Sequence, residues 1–144
     1  SNLDDLDTDI VYTQEKDKHR FHINTHLVDA DQQTPVQGAF PVTLDYVYSK
    51  QGMSIVVDYC PLTACLVLPV IAAPSEVVDI TSKGMLLQKK EGVLEIICVN
   101  GMLKVAPTDE DGRIFNPVPG FSFVPLQIFP EGENKKIQIE ITYN

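Results

Sequence analysis

The three histidines are the residues whose type and spacing come closest to those of a metal site. His19, His22 and His26 would share one face of a helix, and imidazole is a common zinc ligand. The alternation of apolar and polar residues over 21–27 predicts a strand instead. On a strand, His22 and His26 share a face about 13 Å apart at ~3.3 Å per residue, and His19 points to the opposite face. We therefore predict solvated histidines and no bound metal.

Carboxylates are the next group that could carry chemistry. Asp45 and Asp58 lie on adjacent predicted strands and could meet the ~5–9.5 Å separation of a glycosidase pair, but both alternate away from the apolar faces. The acidic run 109–111 resembles a calcium loop, yet Pro107 and Val118 occupy the two EF-hand positions that require carboxylates. The sequence also contains no nucleophile elbow and no glycine-rich phosphate loop. We expect no catalytic residue in this chain and no cofactor.

Aromatic side chains supply the candidate binding residues. Sugar-binding modules stack pyranose rings on exposed aromatic rings, often of Trp, and this chain has no Trp. Two prolines and a glycine make the segment 113–121 a rigid loop with aromatic residues at its rim. We favour its interpretation as a packing clamp against a neighbouring domain, with ligand binding as the alternative. The candidate binding residues are Arg113, Phe115, Asn116, Phe121 and Tyr12.

These residues must be positioned by strands, because the dominant sequence period is two. At the C-terminus, isoleucines and Tyr143 alternate with polar residues over 137–143, and similar alternation covers 21–27, 42–48 and 53–59. It places Tyr46, Tyr48, Tyr59 and Tyr143 in phase with apolar faces, as core or rim residues. The fold class predicted is all-β: a two-sheet antiparallel β-sandwich, jelly-roll or immunoglobulin-like, of about 9–11 strands, with a closed barrel as the alternative.

Two local signals predict how the strands connect. Asn100-Gly101 is a type I′ turn sequence, so we expect a hairpin between 93–99 and 102–105 that continues a meander from 85–89. The run Leu66–Ile71 is apolar at every position, so we expect a central buried strand with Pro69 at a bulge or sheet-switching bend.

Length and charge exclude several classes of protein. The 144 residues, 44% of them hydrophobic, suffice for one domain, and no apolar run approaches the ~20 residues of a membrane helix. The net charge of −9 argues against nucleic-acid binding and against anionic membrane surfaces. The three cysteines are an odd number, so they cannot form a complete disulfide framework, although Cys60 and Cys65 could pair across a turn at Pro61. Cys98 is expected to be a small buried hydrophobe.

The start of the chain suggests an excised domain. Ser1-Asn2 stands where an initiator Met would be expected, and residues 1–31 hold eight acids against three bases. We expect residues 1–17 to form an acidic leader or linker and residues 18–144 to form the β-sandwich domain.

Three segments resemble a known group of proteins: Leu66-Val67-Leu68-Pro69-Val70-Ile71-Ala72, Gly84-Met85-Leu86-Leu87 and Phe115-Asn116-Pro117-Val118-Pro119-Gly120-Phe121. Over residues 40–144 the chain is similar to the C-terminal β-domains of secreted glycan-degrading enzymes of Bacteroidetes, including heparinase-type lyases and α-toroid glycosidases. The resemblance implies a non-catalytic accessory β-sandwich, secreted or periplasmic, whose partners are the catalytic domain of the same chain and polysaccharide. The alternatives are an independent glycan- or protein-binding module and a small stand-alone enzyme.

Overall fold

The computed structural model describes residues 2–35, 40–106 and 121–144. Its elements are β1 (Asp9–Glu15), β2 (Lys18–His26), β3 (Pro41–Ser49), β4 (Gly52–Asp58), β5 (Leu66–Ile71), β6 (Val77–Thr81), β7 (Gly84–Lys89), β8 (Gly92–Asn100), β9 (Met102–Val105), β10 (Phe123–Phe129), a short 3₁₀ helix (Gly132–Asn134) and β11 (Ile137–Tyr143). An eight-stranded sheet has the order β1-β2-β3-β4-β11-β8-β7-β6, and a three-stranded sheet has the order β5-β10-β9. Every strand pairing in them is antiparallel. The predicted all-β, two-sheet β-sandwich is confirmed.

The period-two alternation places one face of most strands in the core. Val42 and Leu44 of β3 are buried, as are Ile137 and Ile139 of β11. The three-stranded sheet contributes buried side chains from β10 and β9, so the core lies between the two sheets. Each fully buried aliphatic side chain of this kind stabilises the fold by about 1.5–3 kcal/mol.

Two-residue loops join several neighbouring strands of the large sheet. The loop between β3 and β4 is closed by the register pair Ser49 and Gly52. The loop between β7 and β8 is closed by the register pair Lys89 and Gly92. A third loop joins Thr81 of β6 to Gly84 of β7. The sequences at these loops, Ser49-Lys50-Gln51-Gly52, Ser82-Lys83-Gly84 and Glu91-Gly92, are typical of turns between antiparallel strands.

The expected hairpin at Asn100-Gly101 is wrong, because the chain changes sheets there. β8 pairs with β7 and β11 in the large sheet, whereas β9 pairs with β10 in the small one. Gly101 has φ +123°, and a Cβ at this position would lie 2.9 Å from the Phe129 carbonyl oxygen. Glycine is needed here because two strands approach each other closely. Asn-Gly is also typical of hairpin turns, so the sequence alone does not distinguish these two roles.

The expected central strand at Leu66–Ile71 is also wrong, because among the described residues β5 pairs with β10 alone and lies at the edge of the small sheet. Val67 and Ile71 are exposed, and the register with β10 continues through Pro69 without a bulge or a switch of sheet. Pro69 stands opposite Pro125, whose carbonyl accepts the Ala106 N–H on the far side at 2.8 Å. Neither proline needs to donate to the other strand at this position, and an edge strand tolerates the missing N–H of Pro69.

Part of the expected acidic leader belongs to the large sheet. β1 falls within residues 1–17 and pairs with β2 at every position from Asp9 to Glu15. All seven of its residues are exposed, as is common for an edge strand. Within the described ranges, no helix has the length and apolar character needed to cross a membrane.

Candidate functional site

The core face of the large sheet opens to solvent at its β1 edge. Tyr12, Phe21, Tyr46 and Ile55 are successive register partners across β1 to β4, so their side chains share this face. Ile55 is 1% exposed, whereas Tyr12 is 49% exposed. The side chains that form the core at β4 are therefore continued outward, in the same layer, by the half-buried rings of Tyr46 and Phe21 and the exposed ring of Tyr12.

Four side chains on this face form a cluster that we call the aromatic platform: Tyr12, His19, Phe21 and Tyr48. The Tyr12 and His19 rings are stacked with centroids 6.1 Å apart, and the Tyr12 and Phe21 centroids are 5.1 Å apart. Tyr48 meets Phe21 edge to face at 5.9 Å. Together they line an open depression of about 540 Å³. Such offset and edge-to-face contacts are the favoured arrangements of aromatic rings and hold each ring in place.

Polar groups lie at one side of the platform. The Tyr12 hydroxyl is 2.8 Å from His19 Nδ1 and 3.3 Å from Gln14 Oε1. Gln14, His19 and Tyr48 are successive register partners across β1, β2 and β3, so polar side-chain atoms from three strands lie next to one another there. The platform thus combines apolar ring faces with hydrogen-bonding groups, which suits a ligand that has an apolar face and a polar edge.

The opposite face of the same strands carries an ionic cluster. The Arg20 Nε–H donates to Asp45 Oδ1 at 2.7 Å, and His22 Nδ1 lies 3.0 Å from the same oxygen. The hydrogen bond from Arg20 is the main cause that lowers the pKa of Asp45, and it raises the pKa of Arg20. Asp58 lies beside a different cation, with Lys136 Nζ at 3.5 Å. Each carboxylate of this candidate pair therefore has its own cationic neighbour.

Asp5, whose side chain is 3% exposed, connects the N-terminal segment to the large sheet through hydrogen bonds. Its Oδ2 accepts the His26 backbone N–H at 2.6 Å and the Thr25 hydroxyl at 2.9 Å. The hydrogen bond from the His26 backbone contributes most to lowering the pKa of Asp5 to about 2. His26 Nδ1 lies 3.4 Å from the same oxygen. This carboxylate joins the segment before β1 to the end of β2.

The histidines lie on the two faces expected of a strand. His19 belongs to the aromatic platform, His22 contacts Asp45 on the opposite face, and His26 contacts Asp5. In the part of the chain that the structure describes, no three His, Cys, Asp or Glu side chains are grouped so that they could hold a metal ion.

The cysteines are free thiols. Burial raises the pKa of the Cys60 thiol to about 11, and burial also raises the pKa of Cys65 and of Cys98. A raised pKa keeps the thiol protonated at neutral pH, and the thiolate is the reactive form. Cys60 and Cys98 are buried and contribute to the core, as expected for Cys98.

The structure describes two of the predicted binding residues and brings one of them, Tyr12, into the platform. Tyr12 is part of it, whereas Phe121 is exposed immediately before β10 and does not line the depression. Arg113, Phe115 and Asn116 lie outside the described residues, as do the acidic run 109–111 and most of the proposed clamp.

Sequence reasoning missed His19, Phe21 and Tyr48 as members of the site. The sequence predicts His19 as a solvated histidine rather than a metal ligand, Tyr48 as a core or rim residue, and Phe21 as a residue on the apolar face of a strand. The period of two did place His19 and Phe21 on one strand face. It could not show that this face is open, because that depends on which strands stand at the edge of the sheet.

The comparisons with known proteins give one match. The family model described as the ulvan lyase C-terminal domain matches residues 1–144. No curated protein sequence and no solved structure matches the chain. The match extends over β1 and the residues before it, and it agrees with the resemblance to C-terminal domains of glycan-degrading lyases.

Proposed function

Because the chain belongs to the ulvan lyase C-terminal domain family, we propose that it is a non-catalytic accessory domain of a polysaccharide lyase. The family match over all 144 residues is the observation that carries this proposal. Its partners are a catalytic domain in the same chain and the polysaccharide on which that domain acts. The domain supports the catalytic domain or extends its substrate cleft, in a secreted or periplasmic enzyme.

The β1 edge of the large sheet supports a role in contact with a partner. Single exposed apolar side chains are ordinary on protein surfaces, but a contiguous patch indicates an interaction site. Here Ile10 and Tyr12 are exposed on the edge strand, and Tyr48 adds a third exposed side chain on the same face. An accessory domain would use such a surface to contact its catalytic domain or the substrate.

The proposal is tested by the lyase reaction with and without this domain. The intact enzyme, the enzyme lacking residues 1–144 and the isolated 144-residue chain are compared on ulvan, with the unsaturated product as the readout. We expect no product from the isolated chain, and a lower kcat/KM on the polymer when the domain is removed. Product formation by the isolated chain would disprove the non-catalytic role, and an unchanged kcat/KM would disprove the accessory role.

A second candidate function is an independent glycan- or protein-binding module, and the aromatic platform favours it. Such a module would retain its affinity for ulvan as an isolated chain. Its removal would leave kcat/KM on short oligosaccharides unchanged, whereas loss of a supporting domain would lower the rate on substrates of every length. Comparing long and short substrates therefore separates the two functions.

A further inference from the structure

We propose that the aromatic platform is a saccharide-stacking site, which takes a pyranose ring of the polysaccharide on its two exposed rings, Tyr12 and Tyr48. Phe21 contacts both of these rings, and His19 stacks on Tyr12. The inference rests on the proposed function only in that the lyase's polysaccharide supplies the ligand. It adds the site, the residues and the mode of contact, none of which follows from membership of the family.

The exposure of the rings suits stacking. Tyr12 is 49% and Tyr48 41% exposed, so about half of each residue's surface is available while the other half packs on the sheet. A pyranose presents a face of C–H groups, which pack against the electron-rich face of an aromatic ring and remove apolar surface from water. The open depression of about 540 Å³ is within the size range of small-molecule sites.

The platform is held in shape before any ligand binds. Tyr12 and Phe21 are direct register partners of β1 and β2, and His19 and Tyr48 are direct partners of β2 and β3. The ring-to-ring contacts of 5.1–6.1 Å fix the side chains further. A rigid site loses little conformational entropy on binding, so most of the contact energy is retained as affinity.

Hydrogen-bonding groups at the side of the platform match the equatorial edge of a sugar. The Tyr12 hydroxyl and His19 Nδ1 are paired at 2.8 Å, and Gln14 Oε1 lies 3.3 Å from the same hydroxyl. Phenol, imidazole and amide groups can each donate or accept, so they can bind sugar hydroxyls in either orientation. The ring faces provide affinity, and these hydrogen-bonding groups determine the orientation of the bound sugar.

The contact is made without a cationic patch. Arg20 and His22 occupy the opposite face of β2, where both bind Asp45. The described side chains that line the depression include no Lys, Arg, Asp or Glu. Stacking on such a site depends little on salt, whereas binding through lysines and arginines weakens steeply as salt is added. Salt dependence is therefore a signature of the binding mode.

The size of the platform favours a saccharide over the catalytic domain as its occupant. A stable protein interface buries roughly 800 Å² on each partner and involves 20–30 residues a side. Four of the described side chains line the depression, which is the scale of one or two sugar rings. Docking of the catalytic domain on this surface is an outcome that the experiment must detect.

The test measures binding of ulvan and of ulvan oligosaccharides to the 144-residue chain by affinity electrophoresis and titration calorimetry. Tyr12→Ala and Tyr48→Ala each remove one platform ring, from different strands. Tyr59→Ala is the matched control, since Tyr59 is 66% exposed and is not among the side chains that line the depression. Tyr12→Phe keeps the ring and removes only the hydroxyl. Circular dichroism and thermal unfolding confirm that each variant is folded.

We expect each platform substitution to Ala to weaken binding about tenfold, which corresponds to the roughly 1.4 kcal/mol of one good aromatic contact. Tyr59→Ala should bind like the wild type, Tyr12→Phe should lose less than Tyr12→Ala, and affinity should change less than about threefold between low and high salt at mildly alkaline pH.

The inference is overturned if the wild-type chain does not bind ulvan, or if folded Tyr12→Ala and Tyr48→Ala bind it as the wild type does. It is also overturned if these variants keep their affinity for ulvan but lose association with the catalytic domain, which would make the platform a docking surface. The accessory function would survive each of these results if removing the domain still lowers the lyase rate. Conversely, weakened binding by the variants with an unchanged rate on domain removal would refute the accessory function and leave the site intact.

Discussion

Replacing Gly101 with alanine should destabilise the fold by about 2–4 kcal/mol. Residues other than glycine rarely adopt φ +123°, and holding one in a sparsely populated region costs roughly 1–3 kcal/mol. The added Cβ would also meet the Phe129 carbonyl oxygen at 2.9 Å and Ile128 Cγ2 at 3.1 Å, and such overpacking costs a further ~1–3 kcal/mol. The smaller conformational entropy of unfolded alanine offsets about 0.4–1 kcal/mol of this cost.

The expected shift in melting temperature follows from the size of the chain. Unfolding entropy of about 2.1 cal/mol/K per residue gives roughly 0.3 kcal/mol/K for 144 residues. The Gly101→Ala variant should therefore melt about 7–13 °C below the wild type. The assays are thermal unfolding followed by circular dichroism and urea unfolding, with an unchanged m-value as evidence that only stability has changed.

Gly132→Ala is the matched control. Gly132 also has a positive φ, of +66°, but a Cβ there would meet nothing within 4 Å. The left-handed conformation costs an alanine about 1–2 kcal/mol, and the entropic offset brings the net loss to about 1 kcal/mol, or roughly 3 °C. Equal shifts in the two variants would refute the close approach at Gly101, and with it our account of why the chain changes sheets there.

Further predictions concern titration, thiol reactivity and packing. Asp5 has a pKa of about 2 in the folded protein against an ordinary 3.8, so the stability it contributes is present above about pH 4 and is lost as the pH falls towards 2. Urea midpoints measured over this range should fall more steeply for the wild type than for Asp5→Asn, and parallel curves would contradict the role of Asp5. The Cys60 and Cys65 thiols should react slowly with a disulfide reagent at neutral pH, because burial raises their pKa values, and rapidly in denaturant. Rapid reaction of both thiols in the native protein would contradict their burial. Ile139→Ala removes a fully buried side chain and should lower the free energy of unfolding in urea by about 2–5 kcal/mol. Leu6→Ala, at an exposed site, should change it by less than about 0.5 kcal/mol. Similar losses for the two variants would contradict the position of Ile139 in the core.

Short-range patterns were sufficient for most strands and their tight loops. The alternation over β3 and β11 identified their buried faces, because side chains point to opposite sides of a strand at successive positions. Gly52, Gly84 and Gly92 lie at the ends of three loops, and glycine is typical there because short hairpin loops require a small set of backbone conformations. These are properties of a few consecutive residues and can be read without the rest of the chain.

Patterns failed where a local signal had two structural meanings. Asn100-Gly101 fits a hairpin turn, but the position of β9 beside β10 makes Gly101 a point of close contact between strands. The apolar run of β5 fits a central strand, but in the part of the chain that the structure describes β5 has one neighbour, β10, and lies at an edge. The acids around β1 suggested a linker, while Ile10 and Tyr12 within it pair with β2.

The sequence by itself determined that this protein is all-β, which strand faces are apolar, and that it resembles C-terminal domains of glycan-degrading enzymes. Those conclusions depend on alternation, turn chemistry and recognisable segments along the chain. Only the tertiary structure decided how the strands divide between two sheets, and that Tyr12, His19, Phe21 and Tyr48 form an open platform. The physical reason is that the period of two assigns a side chain to a face, whereas the order of strands in the sheet decides whether that face is covered or exposed.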